Sequence, residues 1–134
     1  MELPHRLYKF GRTALPDIAA RFEEELHQAQ RWRSIPLSRD YVIRPLWSRW
    51  VTLDESIEAE EWFAKNYPKE FHCSIQYNGI KECRNWTTDQ SYAFQSIIDK
   101  RFPNRASQMP TYPHKDYRKI YYIMLTKKVE GEVS

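Results

Sequence analysis

Four residues near the N-terminus have the types and the spacing that could hold a phosphodiester. Tyr8 lies in an aromatic segment that predicts a short strand, Gly11 follows it, and Arg12 and Arg21 supply two guanidinium groups. Glycine lets the backbone turn sharply and a phosphate approach closely. Each arginine can give two parallel hydrogen bonds to phosphate oxygens, which lysine cannot do. The pattern predicts a phosphodiester site between a tyrosine and an arginine; the alternatives are a core or rim aromatic at Tyr8 and a solvated Arg21.

A glutamate on a predicted acidic helix, residues 54–66, could hold a metal ion. Ile57, Phe63 and Tyr67 predict the inward face of this helix, and Glu60, three residues from Ile57 and from Phe63, should share it. A carboxylate on that face is costly unless it is paired or bound to metal. A single carboxylate completed by water and phosphate oxygens suits Mg²⁺. The alternative is that Glu60 lies at the edge of the stripe and pairs with an arginine.

The other patterns predict the elements that position these residues, and together they indicate a mixed α/β (α+β) fold. Apolar periodicity, helix caps, β-branched runs and turn signals predict strands at 7–11, 41–51 and 119–128, a hairpin of 71–77 with 80–84 around Asn78-Gly79, and helices at 16–33, 54–66 and 87–101. Pro45 places strand 41–51 at a sheet edge or makes it bend. We expect a small, mainly antiparallel sheet flanked by about three helices.

Residues 7–13, Leu-Tyr-Lys-Phe-Gly-Arg-Thr, resemble the second half of the GIY-YIG nuclease motif. They have the Tyr-Lys-(Ile/Phe)-Gly-Arg-Thr form that is common in the phage-enriched branch of that family. By this resemblance Tyr8 is the second-motif tyrosine, Gly11 the motif glycine and Arg12 the basic position. Arg21 would contact the scissile phosphate.

The resemblance extends to residues 60–68, which are similar to the family's later helix with its metal-binding glutamate. Glu60 would hold the divalent ion, Mg²⁺ (or Mn²⁺). The family's first strand, Gly-Ile-Tyr, should precede the second, but only six residues stand before Leu7. The segment Lys-Ile-Tyr-Tyr-Ile at 119–123 looks like that strand with lysine in place of glycine. We therefore expect a permuted order, in which this strand pairs antiparallel with 7–11 and brings Tyr121 next to Tyr8.

The resemblance implies a metal-dependent endonuclease that hydrolyses phosphodiester bonds in DNA. Tyr121 or Tyr8 would take a proton from the attacking water, Arg12 and Arg21 would stabilise the phosphate, and the ion on Glu60 would stabilise the leaving oxygen. Trp47 and Trp50 could stack on bases. The basic residues that could bind nucleic acid are Lys9, Arg31, Arg33, Arg44 and Arg49.

Two other functions are compatible with the residues. One is a catalytically inactive module of the same fold that binds nucleic acid or a protein partner, such as a phage-type inhibitor or accessory factor. The other is a small zinc-stabilised domain, although its ligands would lack the close pair that nucleates such sites. Those ligands would be His72, Cys73, Cys83 and His114.

The composition sets wider limits. The length of 134 residues predicts one domain over residues 1–134, and the net charge of +3 makes it mildly basic. We expect either a monomer or a homodimer. The sequence has no apolar run of the ~20 residues that a membrane span needs, and its N-terminus lacks a signal-peptide pattern. We expect a cytoplasmic protein that has DNA as its partner, with a protein partner as the alternative.

Overall fold

A computed structural model describes residues 3–31, 34–71 and 77–129. These residues form six strands and three α-helices, in the order β1 (Arg6–Thr13), α1 (Ile18–Arg31), β2 (Ile35–Pro36), β3 (Tyr41–Thr52), α2 (Leu53–Asn66), β4 (Tyr77–Asn78), β5 (Cys83–Arg84), α3 (Thr88–Arg101) and β6 (Tyr117–Lys127). The main sheet has the order β3-β6-β1-β5, and all of its neighbouring strands are antiparallel. The predicted α+β fold is confirmed.

The main sheet separates two hydrophobic clusters. Because paired residues of antiparallel strands share a face, Leu7 of β1 and Leu125 of β6 lie together on the face that α1 covers through Phe22. The opposite face carries Phe10 of β1, which packs against Phe63 of α2 and against α3. The sheet is therefore the middle layer of three, and residues that alternate along β1 enter different surroundings.

β6 pairs antiparallel with β1, and this predicted pairing is confirmed. The two strands are antiparallel over the whole of β1, from Arg6 opposite Thr126 to Thr13 opposite Lys119. β6 also pairs with β3, which lies at the outer edge of the sheet as Pro45 predicted and has an irregularity of register beside that residue. The strand that resembles Gly-Ile-Tyr is thus the second strand of the sheet.

Local signals account for the helix boundaries. Asp17 caps α1 by accepting a hydrogen bond from the backbone N–H of Ala19 (2.9 Å), so the helix begins at Ile18 rather than at 16. Thr52 and Thr87 cap α2 and α3, each in a capping box with the residue three positions later. None of the helices in the described ranges has the length and hydropathy for a membrane crossing.

Two predicted details are wrong. Residues 80–84 do not form the second strand of a hairpin, because Gly79, in the left-handed region (φ 84°), leads into a 3-10 turn over Ile80–Glu82, and Tyr77–Asn78 pairs in parallel with β2. β5 then pairs with β1 instead. Ile57 is 38% exposed and does not face the core, whereas Ala59 and Phe63 are buried. Residues 72–76 of the predicted hairpin lie outside the described part.

Candidate phosphate-binding cleft

A cleft of about 990 Å³ opens at the edge of β1, between α1 and α2. β5 pairs with β1 only at Tyr8 and Lys9, so that strand edge has no described partner from Phe10 to Thr13. The cleft is lined by Gly11, by side chains of α1 and α2, by Tyr121, and by charged groups of both signs. The charged residues are Lys9, Arg12, Arg21, Glu24, Glu25, Glu60, Lys81, Glu82 and Arg118.

Arg21, a residue of the cleft wall, has one buried guanidinium nitrogen without a hydrogen-bond partner. Its Nη2 lies 3.6 Å from Oε1 of Glu25, and its Nη1 lies 4.0 Å from Oε2 of Glu24. Nη1 is buried and lacks a hydrogen-bond partner, alone among the buried side-chain polar atoms of the described ranges. A buried donor without an acceptor costs about 1–3 kcal/mol. Because Nη1 is shielded from solvent, an anion in the cleft could accept a hydrogen bond from it only after the Arg21 side chain had turned toward the ligand, and that bond would remove this cost.

Lys9 and Glu25 form a buried ion pair beneath the cleft. The distance from Nζ of Lys9 to Oε1 of Glu25 is 2.7 Å. Burial alone lowers the pKa of Lys9, but the nearby Tyr121 and Glu25 outweigh it and raise that pKa above the ordinary value. Lys9 therefore contributes a positive charge to the lining of the cleft. It is only 3% exposed, so the predicted contact with nucleic acid would have to be made from within the cleft.

Gly11 is the position at which Tyr121 closely approaches β1. A Cβ on Gly11 would lie 2.7 Å from the Oη and 2.9 Å from the Cζ of Tyr121. Burial raises the pKa of Tyr121 above its ordinary value. At neutral pH the hydroxyl is therefore protonated, and it can donate a hydrogen bond to an anion in the cleft.

The structure brings Tyr121 near Arg21 but not near Tyr8. Gly11 and Tyr121 are paired and face α1, and Tyr8, three positions before Gly11, points to the other side. There Tyr8 stacks on Tyr122, with ring centroids 5.9 Å apart. Tyr8 is thus a core aromatic, which the sequence left open as an alternative, and its predicted proximity to Tyr121 is wrong.

Glu60 lines the cleft as the partner of Arg12. The two side chains form an ion pair, and both are partly exposed. Glu60 is not on the inward face of α2, because that face is set by Ser56, Ala59 and Phe63 rather than by Ile57. The alternative prediction, that Glu60 lies at the edge of the stripe and pairs with an arginine, is therefore the one that agrees with the structure.

The carboxylates that the structure describes in the cleft do not form a ready-made metal site. No cluster of three or more His, Cys, Asp and Glu side chains that could hold a metal ion occurs within ranges 3–31, 34–71 and 77–129. The carboxylates that line the cleft are Glu24, Glu25, Glu60 and Glu82, and of these the resemblance implies Glu60 as the ligand of a cation. Mg²⁺ accepts such a site, because it retains several waters and takes further oxygens from a substrate phosphate.

The other predicted nucleic-acid contacts are dispersed. Arg44 is exposed on β3, and Arg49 on the same strand pairs with Asp99. β6 and β1 separate β3 from the open edge of the sheet, and neither arginine lines the cleft. Arg31 is exposed at the end of α1, and Arg33 lies outside the described residues.

The predicted zinc set is not assembled among the described residues. Cys83 is buried, and burial raises the pKa of its thiol to about 12, which keeps it protonated. His114 packs its ring against Tyr117. His72 and Cys73 lie outside the described residues.

No family model, no curated protein and no solved structure matches this chain.

One cleft residue, Glu25, was not predicted as part of the site, although the sequence contains a signal for it. Glu25 falls on the apolar stripe of α1, three positions after Phe22 and four before Ala29, where a charge must have a partner. Lys9 likewise interrupts the apolar run of β1. Two opposite charges at buried positions of adjacent elements indicate a buried pair.

We expect Gly11→Ala to destabilise the fold by about 1–3 kcal/mol, because the added methyl group overlaps the Tyr121 ring end. Urea denaturation measures this cost. In a Tyr121→Leu background the same substitution should cost clearly less, since the overlapping atoms are gone. An equal cost in both backgrounds would show that Gly11 is needed for another reason.

Proposed function

We propose that this protein is a metal-dependent endonuclease that hydrolyses phosphodiester bonds in DNA, and that the scissile phosphate binds in the cleft at the open edge of β1. The observation that carries the proposal is the buried Nη1 of Arg21, which has no hydrogen-bond partner. Arg21 lines the same cleft as Arg12, Glu60 and Tyr121, the other residues apart from Tyr8 that the GIY-YIG resemblance assigns to catalysis, and as the motif glycine Gly11.

The cleft's own groups would bind and orient the phosphate. Nη1 of Arg21 would donate to one phosphate oxygen, and the protonated hydroxyl of Tyr121 would donate to another. The charge of Lys9, held in place by Glu25, would add positive potential below them. Fixed donors aimed at developing negative charge are the largest contribution to many phosphoryl-transfer rates.

Glu60 would hold the divalent ion, which when bound supplies a Lewis acid for the leaving oxygen. A phosphate that contacts Arg12 would draw the guanidinium away from Glu60 and leave the carboxylate available to a cation. The raised pKa of Tyr121 makes this residue a hydrogen-bond donor rather than a base at neutral pH. Tyr8 does not line the cleft, so the proposed mechanism gives it no proton-transfer role.

A second function is favoured by one observation: Glu60 is already engaged by Arg12. If that ion pair persists when a ligand is bound, the cleft binds an anion without metal, and the protein is a non-catalytic module for nucleic acid or for an acidic protein partner.

Nicking of supercoiled plasmid tests the proposal. With Mg²⁺ or Mn²⁺ the wild type should nick the plasmid, and with EDTA it should not. Arg21→Ala should lower the rate by about 100-fold, the usual effect of removing one such donor. Glu60→Gln should abolish the metal-dependent nicking, because the proposed ligand of the ion is lost. Lys100→Ala, on exposed α3 surface, is the matched control and should nick like the wild type.

Two results would decide against cleavage. If the plasmid stays intact with every metal, but the protein still binds it with an affinity that depends on Arg21, the result supports the non-catalytic module. Plasmid that is neither cut nor bound would overturn the assignment of the cleft to phosphate.

A further inference from the structure

An aromatic pair lies just beyond the rim of the cleft. Trp50 of β3 and Tyr112, from the segment between α3 and β6, have ring centroids 5.5 Å apart with an interplanar angle of 63°. Tyr112 is 44% exposed, and Trp50 is half-buried. Nζ of Lys119 lies 6.0 Å from the centroid of the Trp50 ring. We call Trp50, Tyr112 and Lys119 the aromatic platform.

Hydrogen bonds attach the platform to the cleft wall. The hydroxyl of Tyr112 donates to the carbonyl of Ala14 (3.2 Å), and Nζ of Lys119 donates to the carbonyl of Pro16 (2.7 Å). Residues 13–15 line the cleft. The platform is therefore hydrogen-bonded to the same short segment that lines the cleft.

These features fit a nucleobase better than a duplex backbone. An exposed aromatic ring gains little from phosphate, whereas a base stacks on it through its π-face. A cation over the neighbouring indole adds attraction for the negatively charged strand that carries the base. Stacking requires a base that is not already stacked and paired within a duplex. An amphipathic aromatic patch of this kind would also suit a protein partner, which the experiment below distinguishes.

We propose that the aromatic platform binds an unpaired nucleobase next to the phosphodiester in the cleft, so that the substrate class is single-stranded DNA or DNA with an unpaired nucleotide beside the bound phosphate. This inference rests on the proposed function, because it takes the cleft as the phosphate site. It adds a specificity for DNA structure, read by Tyr112 and Trp50, that the cleft itself does not supply.

Fluorescence anisotropy with three labelled oligonucleotides tests the inference in EDTA, so that no strand is cut. The probes are a single strand, the same strand with abasic sites, and the blunt duplex of the same sequence. The wild type should bind the single strand most tightly. Tyr112→Ala should weaken that binding by roughly 5- to 100-fold, the range for loss of one base–aromatic stack, and should leave the abasic strand and the duplex unchanged.

Two further variants separate stacking from other effects. Tyr112→Phe keeps the ring but loses the hydrogen bond to Ala14, so it should keep most of the affinity for the single strand. Tyr92→Ala removes a tyrosine that is 69% exposed on α3, away from the cleft, and should bind like the wild type. Circular dichroism confirms that each variant is folded.

The failure of the inference differs from the failure of the proposed function. If Arg21→Ala weakens all three probes while Tyr112→Ala binds them like the wild type, the cleft binds phosphate and the platform does not bind bases. If Arg21→Ala changes nothing, the phosphate site itself is wrong. Absence of binding to every probe would overturn both and would leave a protein partner as the occupant of the platform.

Discussion

Replacing Glu25 by leucine should lower the free energy of unfolding by about 3–5 kcal/mol, the usual cost of removing one partner of a buried ion pair. Lys9 is 3% exposed and Glu25 is 6% exposed, and their charged atoms are 2.7 Å apart. Without the carboxylate, the Lys9 ammonium stays buried beside Tyr121, and Arg21 loses the group that holds its Nη2. The loss exceeds that for a neutral hydrogen bond because a whole charge loses its compensation.

Urea denaturation of four chains measures this effect. Glu24→Leu, on the next residue and exposed, is the matched control and should change stability by no more than about 0.5 kcal/mol. The double variant Lys9→Met/Glu25→Leu should recover much of the loss, since it buries no unpaired charge. A single variant as stable as the wild type, or a double variant no better than the single, would contradict the account.

The sign of the pH dependence follows from Lys9. Its pKa in the folded state is raised above the unfolded value of 10.5, so the folded state holds the proton more tightly. The pair's contribution is therefore complete below that pH and is lost as pH rises through the folded-state pKa. Wild-type stability should decline above about pH 10.5, and the part of this decline due to Lys9 should be absent from the double variant.

Replacing Arg84 by methionine should cost about 3 kcal/mol or more, because three backbone carbonyls lose the hydrogen bonds of one buried guanidinium at once. Arg84 is 2% exposed. Its Nε and Nη2 donate to the carbonyl of Tyr67, at 3.2 and 2.9 Å. Its Nη1 donates to the carbonyls of Lys81 (3.0 Å) and Cys83 (2.9 Å), and the guanidinium carbon lies 4.6 Å from the centroid of the Phe63 ring. One side chain thus joins the end of α2 to the segment that leads into β5.

Arg84→Lys and Arg101→Met identify the source of this stability. Lysine keeps the charge, but its ammonium cannot reproduce the planar fork that reaches three carbonyls, so Arg84→Lys should remain clearly destabilised. Arg101 also lies over a ring, 4.8 Å from the centroid of Trp62, but it is exposed. Arg101→Met should therefore cost at most about 1 kcal/mol. If Arg84→Lys unfolds in urea at the same free energy as the wild type, the explanation by carbonyl contacts is wrong.

The sequence predicted the main elements because their signals are local. Thr87 and Gln90 mark the start of α3, and Pro45 marks an edge strand, without reference to the rest of the chain. The hairpin prediction failed because Asn78-Gly79 fixes a turn but not the strand that follows it. β5 pairs with β1, far away in the sequence, and local turn chemistry does not determine that pairing.

For the candidate site, the sequence predicted which strands pair but not which side chains those strands bring together. The likeness of 119–123 to the first motif predicted the pairing of β6 with β1. The face on which Tyr8 or Tyr121 projects depends on the register, and a change of one residue reverses it. The inward face of α2 depends on the tertiary contacts of Ala59, a small residue that gives a weak signal beside Ile57. For these reasons Glu60 lies at the rim rather than inside.

The position of β6 between β1 and β3 also affects the order of folding. Neither β1 nor β3 has its long neighbour until residues 117–127 have left the ribosome, because β6 pairs with both. Until then the nascent chain can form α2 and α3 but not the sheet against which they pack. Such distant pairing slows folding and leaves two long strand edges open to other chains during synthesis. The protein's yield in a cell should therefore depend on how well those edges are shielded before the last strand closes the sheet.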